Sequence, residues 1–161
     1  MSDNPYSAPS VQSSLLAESS TALASQGKRF LNSILDNIFI QILAGMAGFV
    51  FGLTYAAMKV ASNSPMTQSD ESMLRILGYL IGLFVAISYY VVTEALFQRT
   101  IAKFITNTKV VKEDGSCPSF GQILGRSFAR LIPFEALSFF NGKNPVGWHD
   151  SLSGTRVVRA S

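Results

Sequence analysis

The chain has 161 residues, enough for one domain, and only 14% of them are charged while 48% are apolar. The formal charge of +3, without a basic run, argues against a nucleic-acid partner. The single cysteine, Cys117, excludes an internal disulfide and a metal site built from several cysteines. The charges cluster outside two long apolar blocks, and this pattern predicts a membrane protein.

The first 27 residues are rich in Ser and Ala and show no sustained apolar face. This composition predicts a disordered cytoplasmic tail over residues 1–27. No basic start precedes an apolar core, so the segment lacks the pattern of a signal peptide. The predicted membrane domain therefore covers residues 28–159.

The first apolar block opens with Lys28 and Arg29, contains one acid, Asp36, and carries no charge from Asn37 to Met58. A helix rises ~1.5 Å per residue, so ~20 apolar residues cross the ~30 Å hydrocarbon core of a bilayer. The block predicts a transmembrane helix over about residues 30–58.

Residues 61–72 are polar and predict a short loop, after which residues 74–97 form the second predicted span. Together the spans predict an antiparallel transmembrane hairpin. Each carries a GxxxG pair, Gly48 with Gly52 and Gly78 with Gly82. Small residues allow close packing of membrane helices, so these glycines are candidate packing residues. The alternative is that glycine is simply commoner in membrane helices.

The distribution of Lys and Arg predicts the orientation. Lys59 and Arg75 flank the loop but are offset by Asp70 and Glu71, whereas many basic residues follow the second span. Basic residues favour the cytoplasmic side. We therefore expect a multi-pass protein with both termini in the cytoplasm and residues 99–159 forming a cytoplasmic segment.

Within that segment, Ser119 is a candidate cap for an amphipathic helix with apolar residues at helical spacing. We expect this helix to lie along the inner membrane interface and to bend or break at Pro133. A short or re-entrant third span within residues 120–140 is the alternative.

Two short basic segments resemble each other, Thr108–Lys112 (TKVVK) and Thr155–Arg159 (TRVVR). Each alternates and is β-branched, which favours strands. Pairing them would close a small two-stranded cap, although a chance likeness over five residues is a rival explanation. The predicted fold is thus an all-α membrane protein with a small cap.

Ionisable groups inside a membrane usually pair or serve a function. Asp36 and Glu94 reach similar depths in an antiparallel hairpin, near its cytoplasmic end. In a functional interpretation they bind a cation or relay protons. In a structural one, Arg29 and Asp36 satisfy each other or cap the tail, which fixes orientation and packing. Candidate partners of the two acids are Arg29, Arg99, Lys103, His149 and Asp150.

No phosphate loop, nucleotide-binding turn, HExxH or GxSxG motif is present, so an enzyme is not expected. Cys117 and His149 do not by themselves make a catalytic triad, and a metal site at the lone His149 is disfavoured. The sequence predicts no cofactor and no metal.

Five blocks in order resemble the RDD family of bacterial membrane proteins, which is named for an arginine and two aspartates. They cover residues 28–159 and include RFLNSILD from Arg29 to Asp36 and WHDSLSGTRVV from Trp148 to Val158. The other three blocks are YVVTEALFQRTIAK (residues 90–103), KVVKEDG (residues 109–115) and RSFAR (residues 126–130).

The resemblance implies roles for particular residues. Arg29 and Asp36 match the arginine and the first aspartate, and Asp150 is assigned as the second, while Glu94 occupies the acidic position of the second helix. In a Gly-x-Thr-x-Gly-Lys pattern, Gln98 and Ala102 replace the usual glycines. The remaining positions taken as supporting residues are Thr100, Lys103, Arg130 and His149.

Two functions are consistent with these features. The first is an inner-membrane protein of the RDD type that transports an ion or small solute. Because two spans cannot enclose a pore, transport would require a homo-oligomer or a membrane partner protein. The second is a non-catalytic membrane adaptor or scaffold whose cytoplasmic segment binds a partner protein.

Overall fold

The computed structural model describes residues 22–132 and 147–160 of the chain. Most of these residues are helical, and a small sheet has two strands in the order β1-β2. The elements in chain order are α1 (Gln26–Ala61), α2 (Gln68–Phe97), α3 (Ile101–Ile105), β1 (Thr108–Lys112), α4 (Phe120–Ala129), α5 (Trp148–Ser153) and β2 (Thr155–Arg159).

The two long helices form the expected antiparallel hairpin, because opposite ends of the two are in contact. Tyr89, late in α2, donates a hydrogen bond to Asp36, early in α1, at 2.6 Å. Tyr55, late in α1, donates to Asp70 at the start of α2 at 2.5 Å. The start of α1 therefore lies beside the end of α2, and the end of α1 lies beside the start of α2.

The connection between the helices is shorter than the predicted loop of residues 61–72. The side chain of Thr67 accepts a hydrogen bond from the backbone of Asp70, and Asp70 accepts one from the Thr67 backbone at 2.8 Å. This capping box satisfies backbone donors that the first turn would otherwise leave unpaired, so α2 starts at Gln68. Residues 62–67 alone join the helices.

Both long helices are long and apolar enough to cross a membrane. The most apolar 18-residue window of α1 is 0% buried within the chain, and that of α2 is 6% buried. Large apolar side chains such as Phe49, Tyr79 and Phe84 are exposed. The rest of the described chain therefore does not cover these helices, unlike the core helix of a soluble domain.

The GxxxG glycines are half-buried, yet the close approach that motivated their prediction is absent from the described chain. A Cβ added at Gly48, Gly52 or Gly78 would meet nothing within 4 Å. At Gly82 it would lie 4.0 Å from the Cβ of Ala44, an ordinary contact. The described chain therefore gives no steric reason for glycine at the first three positions, and their role as packing residues remains a prediction.

The predicted two-stranded cap is confirmed. β1 and β2 pair antiparallel, with Thr108 opposite Arg159 and Lys112 opposite Thr155. The chain entering α1 adds to β2, since Ala24 N–H donates to the Val157 carbonyl at 3.0 Å. Residues 22–27, which the composition assigned to the tail, thus belong to the folded domain, whereas residues 1–21 lie outside the described part.

α4 begins where the sequence predicts, with Ser119 as its cap and Gln122 completing a capping box. Its buried face carries Ile123, Arg126 and Ser127, so polar groups point inward, while Phe120 and Phe128 are exposed. Residues 133–146 lie outside the described part, so the bend at Pro133 and the alternative third span remain predictions.

The turn after α2 positions the residues of the site. Gln98 takes a left-handed backbone conformation with φ of 56°, and its carbonyl accepts a hydrogen bond from Val110 N–H at 2.9 Å. Such a conformation is usually filled by glycine. The tight turn is therefore kept without its glycine, and it directs Thr100 and Lys103 back toward α1.

Candidate functional site

The two largest fully buried side chains among the described residues are both charged, and they are Arg126 and Glu94. Buried charges are tolerated when they are paired and hydrogen-bonded. Here they form one network beneath the cap, called the charge cluster below. Its members are Arg29, Asp36, Glu94, Lys103, Arg126, Arg130 and Asp150.

Arg29 connects the start of α1 to the last two elements of the chain. Its Nη1 pairs with Asp150 Oδ2 on α5. Its Nη2 donates to the Val157 carbonyl at 3.0 Å, and its Nε donates to the Ala24 carbonyl at 3.3 Å. The guanidinium therefore fixes α1 against α5 and β2 through three different groups.

Arg126 lies at the centre of the cluster and is completely enclosed. Its Nε donates to Glu94 Oε2 at 3.1 Å. Its Nη1 pairs with Asp150 Oδ1 and donates to Thr155 Oγ1 at 2.5 Å. This single side chain therefore joins α2, α5 and β2 to α4.

Glu94, near the end of α2, is surrounded by three bases. Lys103 Nζ and Arg130 Nη2 donate to its Oε1 at 3.0 and 2.8 Å, and Arg126 binds its Oε2. The guanidinium of Arg130 stacks over the ring of Tyr90, 3.9 Å from the ring centre. Such stacking holds the guanidinium plane in place.

Asp36 is hydrogen-bonded mainly by neutral groups. Its Oδ1 accepts from Tyr89 at 2.6 Å, and its Oδ2 accepts from the hydroxyl of Thr100 at 2.8 Å. Lys103 Nζ lies 4.0 Å from Asp36 Oδ2 and 3.0 Å from Glu94 Oε1. One ammonium thus lies between the two acids, and Asp36 and Glu94 are at the same level of the hairpin.

A second polar group connects α1 to β1. Asn32 donates to Thr108 Oγ1 at 3.1 Å, and it accepts from the hydroxyl of Thr106 at 2.6 Å. All three residues are buried. The side of α1 that carries Arg29 and Asp36 is therefore polar over successive turns and faces the cap.

The electrostatics of the cap residues follow from this packing. Burial disfavours the ionised form of Asp150, but Arg126 and its other charged neighbours outweigh burial and hold the pKa of Asp150 well below its usual range. Burial lowers the pKa of Lys103, although Glu94 opposes the shift. The low pKa of Asp150 keeps it ionised, and therefore paired, over the whole physiological range.

A cavity of about 320 Å³ adjoins the cluster. Among the residues that line it, one face of α1 contributes Arg29, Asn32, Ser33, Asp36, Asn37 and Ile40. Across from this face lie residues of α2 and of the cap, including Ala86, Ile87, Tyr90, Lys103, Ser127, Arg130, Leu131, Ile132 and His149. The cavity is therefore lined by both charged and apolar side chains.

The polar residues predicted from the sequence come together, with partners that differ in part from those expected. Arg29 pairs with Asp150, and Asp36 is bonded to Tyr89, so the expected mutual pairing of Arg29 and Asp36 is wrong. Arg99, an expected partner of the acids, stacks on a phenylalanine ring. Arg29 does not pair with Asp36 because α5, which is distant in sequence, supplies a nearer carboxylate in Asp150.

The remaining predicted residues also lie in this region. Thr100 caps α3 and binds Asp36, and His149 Nε2 lies 3.3 Å from Asp150 Oδ1. Within residues 22–132 and 147–160, no group of three or more His, Cys, Asp and Glu side chains could hold a metal ion.

Two important residues escaped the sequence-based list of site residues. From the sequence, Arg126 is only one position of a predicted amphipathic helix, yet in the structure it joins Glu94 to Asp150. Tyr89 is only one position of the predicted second span, yet it binds Asp36. A signal for Arg126 was available. It stands four residues before Arg130 on α4, a helix without an acid, so both guanidiniums need carboxylates from elsewhere.

Comparisons with known proteins agree with the resemblance found in the sequence. The model of the RDD family matches residues 23–153, a range that contains the whole charge cluster. The chain is also similar to the uncharacterized protein YxaI of Bacillus subtilis (strain 168). The two are 31% identical over 144 residues, and the match covers 81% of this chain and 93% of that protein. No solved structure matches the chain.

Proposed function

Since the chain belongs to the RDD family, we propose that it is a multi-pass protein of a bacterial inner membrane that transports an ion or small solute. α1 and α2 cross the membrane as a hairpin, both termini are cytoplasmic, and the cap lies at the inner surface. Transport requires an oligomer, because two helices cannot enclose a pathway.

The membrane placement is supported by the surface of the hairpin. Its apolar windows are almost entirely uncovered by the rest of the described chain, and lipid is the solvent that suits such a surface. The charge pattern gives the orientation. Lys59 at the far end pairs with Asp70 at 2.8 Å, whereas the cap end carries most of the basic residues.

Reporter fusions test this placement. Alkaline phosphatase is active only outside the cytoplasm, and green fluorescent protein folds well only inside. We expect phosphatase activity from an insertion between Asn63 and Ser64 and fluorescence from a fusion at the C-terminus. Phosphatase activity at the C-terminus, or a chain that is freely soluble without detergent, would refute the proposal.

The observation that carries the transport proposal is the cavity beside the charge cluster. It reaches from Arg29 at the entry of α1 to Ile40, a distance of ~16 Å along a helix. Charged groups inside a membrane commonly line the paths of ions and solutes. The cavity therefore supplies a polar compartment that starts at the inner surface and ends within the hairpin.

Flux through the purified, reconstituted protein tests the proposal. Ion- and solute-loaded vesicles containing the wild-type chain should release their contents faster than empty vesicles. Asp36→Asn should reduce the flux at least about tenfold, because it removes the one acid among the described residues that line the cavity. The matched control is Asp70→Asn at the far end of the hairpin, which should retain the wild-type flux.

The molecular mass in detergent provides a second check, since a strict monomer contradicts a channel or carrier formed between copies. Flux that survives Asp36→Asn would show that this acid has no part in transport. An absence of flux with every ion and solute tried would reject transport altogether.

The adaptor function is the second candidate, and it has its own observation. Trp148 and Leu152 on α5 are 46% and 69% exposed, so the cap presents apolar side chains outside the hairpin. Crosslinking from Leu152 in native membranes distinguishes the two uses of this surface. A specific protein adduct that is lost in Leu152→Asp, with no flux, would favour the adaptor.

A further inference from the structure

The cavity is better suited to a ligand of negative charge than to a cation. We infer that it binds a phosphate oxyanion, carried either by the headgroup of an inner-leaflet lipid or by a free phosphate compound. This inference rests on the membrane placement proposed above and does not require transport.

The first argument is that every carboxylate oxygen of the charge cluster already has a donor. Asp36 accepts from Tyr89 and Thr100 on its two oxygens. Both oxygens of Glu94 accept from basic side chains, and so do both oxygens of Asp150. A cation entering the cavity would have to displace donors that are already bound.

The second argument is that donors remain after these acceptors are used. Within the described residues, Arg130 Nη1 and Arg126 Nη2 are buried and make no hydrogen bond. Buried donors without a partner are costly, and an added acceptor relieves that cost. Arg130 lies in the cavity wall, so an oxyanion in the cavity would approach this guanidinium directly.

The charge balance of the cluster agrees with the donor count. The four basic members are Arg29, Lys103, Arg126 and Arg130, and the three acidic members are Asp36, Glu94 and Asp150. With all seven groups ionised the cluster keeps one positive charge in excess. An excess charge in a poorly solvated site attracts a ligand of opposite sign more strongly than it would in water.

The shape of the cavity favours an amphiphile. Its wall combines the basic side chains Arg130 and Lys103 with apolar surface from Ile40, Ile87 and Leu131. A volume of about 320 Å³ accommodates a phosphate headgroup and the first part of its chains. Arginine is well suited to phosphate because its N–H groups match the oxygens geometrically.

The experiment measures binding to the purified full chain in a neutral detergent by native mass spectrometry. The probes are dioctanoyl phosphatidic acid, inorganic phosphate and dioctanoylglycerol, which has the same chains without the phosphate. We expect phosphatidic acid to bind and dioctanoylglycerol not to bind detectably. Equal binding of the two lipids, or no binding of either phosphate probe, overturns the inference.

The two phosphate probes also separate the two sources of the ligand. Saturable binding of phosphatidic acid but not of inorganic phosphate assigns the site to a lipid headgroup. Comparable binding of both assigns it to the phosphate group itself. Either result supports the inference, and neither depends on the flux assay, so a failure of transport leaves it standing.

Variants locate the binding. Arg130→Gln should weaken phosphatidic acid binding about tenfold or more, the effect of losing one charged donor. Arg75→Gln, the same change at the far end of the hairpin, should bind like the wild type. Because Arg130 also holds Glu94, a second variant, Ala86→Leu, fills the cavity without touching the cluster and should reduce binding similarly. Wild-type binding by both variants overturns the inference.

Discussion

The two ends of the hairpin differ in what they bury and what they expose. At the cap end, charged side chains are buried among elements from the whole length of the chain, and each carboxylate has several donors. At the far end, apolar side chains such as Met58 and Ile76 lie on the outside with little of the described chain against them. The cap end is therefore stabilised by contacts within the chain, whereas the far end depends on what surrounds its apolar surface.

The difference teaches where the stability of this chain resides. In a soluble domain the apolar core provides most of the favourable free energy. In lipid that driving force between helices is missing, so packing and hydrogen bonds must provide it. The charge cluster joins α1, α2, α4 and α5, and it is therefore the part of the structure most sensitive to single changes.

The largest effect is expected from Arg126→Met. It removes the partner shared by Glu94 and Asp150 and should lower the free energy of unfolding by about 3–5 kcal/mol, the usual cost of breaking a buried ion pair. Equilibrium unfolding with SDS in mixed micelles measures the change. Arg75→Met, at an exposed position of the far end, should stay within about 0.5 kcal/mol.

A loss below about 1 kcal/mol in Arg126→Met would mean that the cluster contributes little to stability, and the contrast between the two ends would disappear. Such a result would show that the apolar hairpin alone sustains the fold.

The next effect is expected from Thr100→Val, which keeps the shape but removes the hydroxyl that donates to Asp36 and caps α3. Losing a buried hydrogen bond to a charged group should cost about 2 kcal/mol. Thr54→Val provides the comparison at the far end, because the Thr54 hydroxyl binds only its own helix at the Phe51 carbonyl. The same micelle assay should report almost no change for it, and equal losses in both variants would contradict the comparison.

A smaller change of opposite sign is expected from Gln98→Gly. Gln98 occupies a left-handed conformation with φ of 56°, which costs a residue with a Cβ about 1–2 kcal/mol. Glycine should therefore raise the free energy of unfolding by about 1 kcal/mol, after allowing for its greater freedom in the unfolded chain. A decrease would mean that the contact of Gln98 with Cys117 outweighs the backbone strain.

The smallest effect is expected at the glycines of the two GxxxG pairs. Gly48→Ala introduces a Cβ that meets nothing within 4 Å, so it should stabilise α1 by about 0.5–1 kcal/mol through helix propensity. Gly82→Ala, where the new Cβ reaches Ala44, should be equally tolerated. A clear loss of stability at Gly48, or a lower mass in detergent, would show that a second copy covers this glycine.

The sequence was sufficient for the elements whose signals are local. The uncharged stretch after Asp36 predicts α1, Ser119 predicts the start of α4, and the repeated pattern of the two basic segments predicts their pairing. These signals work because length, capping and strand alternation depend only on neighbouring residues.

The partners inside the cluster could not be predicted in the same way. Arg29 and Asp36 share a helix face, so sequence spacing favoured their pairing, but the fold places Asp150 against Arg29 and Tyr89 against Asp36. Arg126 was missed because its role depends on α2 and α5 meeting beneath the cap. Long-range packing decides such choices, and the spacing of residues along one helix contains no information about it.

The addition of residues 22–24 to the edge of β2 and the pairing of Arg29 with Asp150 have a consequence for biosynthesis. Arg29 leaves the ribosome 121 positions before its carboxylate partner. At about 5–20 residues per second, this corresponds to a delay of roughly 6 to 24 s. During that interval the arginine of α1 lacks the Asp150 carboxylate that it pairs with in the folded chain. The start of α1 is therefore completed by a residue that is translated 121 positions later.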